Sequence, residues 1–86
     1  MIEFRKTYTD VTGRYGVEFV LNGGREDDIW VYAVTRNPEP ATAYYSDYSC
    51  WFRIGGYKTV KAAIRGATRK MKQFNVEILF PEQEAV

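Results

Sequence analysis

No histidine occurs among the 86 residues. Its absence removes the commonest general base, the commonest metal ligand and every Ser-His or Cys-His nucleophile pair. Cysteine is nearly absent too. Cys50 stands alone, so neither an intramolecular disulfide nor a cysteine-cluster zinc site can form. A domain this small in an oxidising compartment usually carries disulfide staples, so a cytoplasmic setting is the expectation. No stretch approaches the ~20 apolar residues of a membrane span. The opening MIEFRKTYTD mixes acidic and basic residues where a secretory signal would be apolar, and no membrane association is expected. Phosphate-binding glycine patterns are missing as well: Gly23-Gly24 and Gly55-Gly56 read as turns. The acidic triplet Glu26-Asp27-Asp28 lacks the spacing of an EF-hand and reads as a solvated loop. A carboxylate- or lysine-based reaction is what these absences leave open, and no motif points to one. Neither an enzyme nor a cofactor is expected.

What is present is an ordinary globular composition, 45% hydrophobic and 27% charged, which a disordered chain does not have. Seven Tyr, five Phe and two Trp raise the aromatic share to 16%, an efficient way to build a core from few residues. The length allows one domain, read over 1–80, with an acidic flexible tail over 81–86. The net charge of +1 hides an asymmetry: all six basic residues after position 57 lie between Lys58 and Lys72, a stretch without an acidic residue.

Residues 2–8 and 14–21 alternate in the period of half-buried strands, with Tyr15, Val17, Phe19 and Leu21 facing inward in the second. Asn22-Gly23-Gly24 is the strongest hairpin signal. Residues 29–36, IWVYAVTR, are apolar on both faces and read as a central strand. Pro38 and Pro40 make a loop. Residues 44–54 resume alternation, with Tyr48, Cys50, Phe52 and Ile54 on one face and Tyr45, Asp47, Ser49, Trp51 and Arg53 on the other; that register buries Cys50. Residues 58–74 place Val60, Ala63, Ile64, Ala67, Met71 and Phe74 on one helical stripe, with Thr59 as N-cap and Asn75 as stop. Val76 to Phe80 reads as a short final strand. The expected fold is therefore α+β: a four- to five-stranded, mainly antiparallel sheet in the order β-β-β-β-α-β, with one amphipathic helix packed on one face.

Two patterns are candidate binding surfaces. On the helix, Lys58, Lys61, Arg65, Arg69 and Lys72 fall within about 80° of arc, opposite the apolar stripe, and span ~21 Å. The ridge suits phosphates or an acidic protein surface; equally, it reads as a solvated face, or as one neutralised by the Glu26–Asp28 loop. On the sheet, Trp30, Tyr32, Tyr45, Trp51 and Arg53 form a ring-rich patch if they occupy the face that the helix leaves bare. Such rings stack bases, anchor protein interfaces or pair two copies as a homodimer. If the opposite face is the outer one, they are core.

The segment GYKTVKAAIRGATRKM, through Tyr57, Thr59, Ala62 and Ala63, resembles the helix start of small sheet-plus-helix modules such as the YegP-like domain, which implies a fold and no functional residue. In size and type the chain also resembles the small inhibitors encoded by phages and mobile elements, including anti-CRISPR proteins. That resemblance implies a non-enzymatic inhibitor that binds a host defence complex. The expected partner is a larger protein or ribonucleoprotein complex; the alternative is direct binding of DNA or RNA by the same ridge.

Overall fold

Alternation and turn chemistry produce four strands in succession, β1 (Thr7–Thr9), β2 (Tyr15–Leu21), β3 (Ile29–Arg36) and β4 (Tyr48–Tyr57), followed by one helix, α1 (Val60–Lys72). The computed structural model describes residues 1–81, so the tail expected over 81–86 lies outside the described residues from position 82 onward. Each strand pairs antiparallel with the next, in the order β1-β2-β3-β4, and the α+β expectation holds. Asn22–Gly24 turns the β2–β3 hairpin, with Gly23 and Gly24 at φ of 61° and 75°, where a side chain would be strained. Asn22 closes it by donating its amide N–H to the Asp28 carbonyl at 2.8 Å and its Nδ2 to the Asp28 carboxylate at 2.7 Å.

The first strand is shorter than its alternation suggests. Arg5 adopts φ of 64°, which turns the chain and leaves only Thr7–Thr9 paired, although Ile2 is still buried.

Val17, Phe19, Ile29, Val31 and Ala33 point to one face, where they meet Ala63, Ala67 and Met71 of α1. The helix lies over β3 and β4. Thr59 caps it, Oγ1 accepting from the Ala62 N–H at 3.1 Å, and Asn75 ends it in the left-handed region at φ of 61°. Residues 76–80 then cover the β1–β2 half of the same face. They are an extended strap rather than the fifth strand expected: among the described residues a single main-chain bond, from the Leu79 N–H to the Thr9 carbonyl at 2.8 Å, ties them to the sheet edge. What holds the strap is burial of Val76 and Ile78, with Phe80 packed on Tyr8 and Phe19 at ring distances of 6.0 Å.

β4 departs most from its reading. It begins at Tyr48, not Tyr44, and runs through Gly55-Gly56 to Tyr57. Two bulges interrupt its pairing with β3: Arg53 and Gly55 face consecutive residues Tyr32 and Val31, and Cys50 and Phe52 face Val34 and Ala33. Ile54 and Trp51 are the extra residues. Each bulge shifts the two-residue alternation by one, so that faces exchange. Cys50 is therefore exposed, not buried, and Trp51 does not share a face with Arg53.

Candidate partner-binding site

On α1, the side chains of Lys61, Arg65, Arg69 and Lys72 are all exposed on the side opposite Ala63, Ala67 and Met71. Among the described residues none of them has a carboxylate partner, because the ion pairs lie elsewhere, at Lys6–Glu3 and Arg25–Asp27. The Glu26–Asp28 loop does not fold over them: Asp28 accepts from Asn22 and from the Trp30 indole N–H at 3.1 Å, and Asp27 holds Arg25. Lys58 is exposed but precedes the N-cap, and with Thr59 extended at φ of −136° it lies off the helical ridge. The helical part, Lys61 to Lys72, is ~16 Å long. Lys61 sits in the first turn, where the helix dipole disfavours a cation, so helix stability does not account for it.

The second candidate surface is divided. Trp30, Tyr32 and Arg53 share the sheet face away from α1, with the Arg53 guanidinium 4.5 Å from the Trp30 ring centroid and Trp30 and Tyr32 at 6.3 Å. Val34 and Cys50 are the neighbouring pair on that face. Tyr45 is elsewhere, 67% exposed in the loop between β3 and β4. Trp51 lies on the helix side. The ridge and the Trp30–Tyr32–Arg53 patch therefore face opposite sides of the molecule, and one small ligand cannot touch both.

Trp51 joins a cluster that sequence reasoning did not assemble. Its ring centroid is 4.9 Å from Phe74, 5.0 Å from Phe52 and 5.8 Å from Tyr15. Tyr15, Trp51 and Phe74 are 37%, 40% and 43% exposed, and they line one cleft of about 430 Å³ with Arg14, Thr12 and Asp10. Lys70, on the flank of α1, holds its ammonium 6.0 Å from the Phe52 ring centroid. Phe74 was legible as the last residue of the apolar stripe. Tyr15 and Phe52 were also read as facing inward, with Phe52 5.6 Å from Phe74; Trp51 was not, because the bulge turns it to the helix side.

Among the described residues no group of three or more acidic or cysteine side chains is arranged to hold a metal ion, and no helix is long and apolar enough to cross a membrane. No protein-family model, no curated protein and no solved structure matches the chain.

Proposed function

We propose that this chain is a non-enzymatic interaction protein that docks on an anionic surface of a larger protein or ribonucleoprotein complex through Lys61, Arg65, Arg69 and Lys72. The observation that supports this reading is the row of exposed cations without a carboxylate partner among the described residues. Neighbouring cations at i,i+3 and i,i+4 repel by a few tenths of a kcal/mol per pair, and nothing local offsets that cost. With a net charge of only +1, the attraction is local to the ridge and not a field of the whole molecule. The type resemblance to small inhibitors of phages and mobile elements makes a host defence complex the partner to try first.

The test is affinity capture from host lysate with the native chain and with Lys61→Glu/Arg65→Glu. Capture by the native chain alone is the expected result; equal capture by the reversed variant would remove the ridge from the interface. Anisotropy of labelled DNA and RNA then identifies the contacted surface. Binding that persists at physiological salt, with a log–log slope of ~0.7–0.9 per phosphate, assigns the ridge to nucleic acid. No binding even at low salt assigns it to an acidic protein surface.

A further inference from the structure

The cleft lined by Tyr15, Trp51 and Phe74 is separate from the ridge, and its chemistry points to a narrower ligand. We propose that it is a stacking platform for an unpaired base of a single-stranded nucleic acid. Three features support this.

The first is unspent capacity. Among the described residues the Trp51 indole N–H and the Tyr15 hydroxyl make no hydrogen bond, whereas the Trp30 indole N–H donates to Asp28 at 3.1 Å and the Tyr48 hydroxyl to the Gly13 carbonyl at 2.9 Å. Rings that serve only as core usually satisfy such groups or bury the ring. These rings keep more than a third of their surface in water. The second feature is charge. Arg14 lines the cleft, and Lys70 holds its ammonium 6.0 Å from the ring centroid of Phe52, which packs on Trp51 and Phe74. The one carboxylate in the lining, Asp10, is engaged in its own turn by the Thr12 hydroxyl at 2.8 Å. Rings between cations match a base between phosphates, the pairing that single-strand grooves use. The third is size. About 430 Å³ falls within the ~300–1,000 Å³ range of small-molecule clefts, so the space admits a base. A duplex does not fit this chemistry, because its base faces are already stacked on one another.

The probes are twelve-nucleotide oligo(dT) and oligo(rU), a duplex of the same length, and heparin as a polyanion without bases. Single strands are expected to quench tryptophan emission and to bind at least about tenfold more tightly than the duplex, while heparin leaves the emission unchanged. Trp51→Ala should weaken single-strand binding about five- to a hundredfold. Trp51→Phe keeps a stacking face, so affinity should stay within about threefold while most of the quench disappears; this also controls for a folding defect in the alanine variant. In Lys61→Glu/Arg65→Glu the quench at saturation should persist, whatever happens to affinity. Loss of that quench would mean that the strand lies on the ridge and would overturn the assignment. So would equal affinity for duplex and single strand, unchanged affinity in Trp51→Ala, or no binding at low salt. The last result would leave the cleft for an apolar side chain of a protein partner.

Discussion

Gly66 sits on the flank of α1 that faces β4, and a Cβ built there would overlap the Tyr57 hydroxyl. Alanine favours a helix over glycine by about 1 kcal/mol, but overpacking a contact of this kind costs about 1–3 kcal/mol. Gly66→Ala should therefore lower stability by about 1 kcal/mol in urea unfolding. In a Tyr57→Ala background the same change should be neutral or stabilising. A gain in the native background would show that the tyrosine swings away freely. Thr59 and Asn75 were both legible from the sequence, because a cap and a left-handed stop are local demands on the backbone. Gly66 was not, since its constraint comes from a ring on another element.

Among the elements, α1 and β4 behave in opposite ways. The 3.6-residue stripe of α1 reads directly, and Ala63, Ala67 and Met71 are buried as their spacing requires. The ridge on its other side has a thermodynamic consequence. Arg65→Glu would replace two repulsive i,i+4 contacts, with Lys61 and Arg69, by two attractive ones, so a stabilisation of about 0.5–1 kcal/mol is expected. Scanning calorimetry should show a melting temperature a few degrees higher in Arg65→Glu. An unchanged or lower melting temperature would mean that Arg65 makes an interaction which offsets the repulsion. In β4, alternation failed after Cys50, because two bulges each insert a residue that a two-residue period cannot anticipate. The same bulges place Trp51 and Ile54 on the helix side and so created the ring cluster.

For the molecule as a whole, the helix and the strap of residues 76–80 together cover one face of the sheet, while the other carries Trp30, Tyr32 and Arg53 half-buried to exposed and Val34 buried. Cys50, exposed beside Val34, reports on that second face. A thiol reagent such as DTNB should label it in the folded protein without denaturant, at a rate approaching that of a free cysteine peptide. If the face pairs with a second copy, labelling will instead slow as protein concentration rises. Slow labelling at every concentration would contradict the exposed placement. The sequence by itself determined the α+β class, the hairpin at Asn22–Gly24, the limits of β3, the capped helix and the row of cations, all properties of neighbouring residues and of one periodicity at a time. Tertiary structure decided which way Cys50 and Trp51 point, that the last segment is a strap and not a strand, and that the ridge and the Trp30–Tyr32–Arg53 patch face apart. Those outcomes depend on register between strands and on packing between layers, where one inserted residue reverses a face and no local pattern records it.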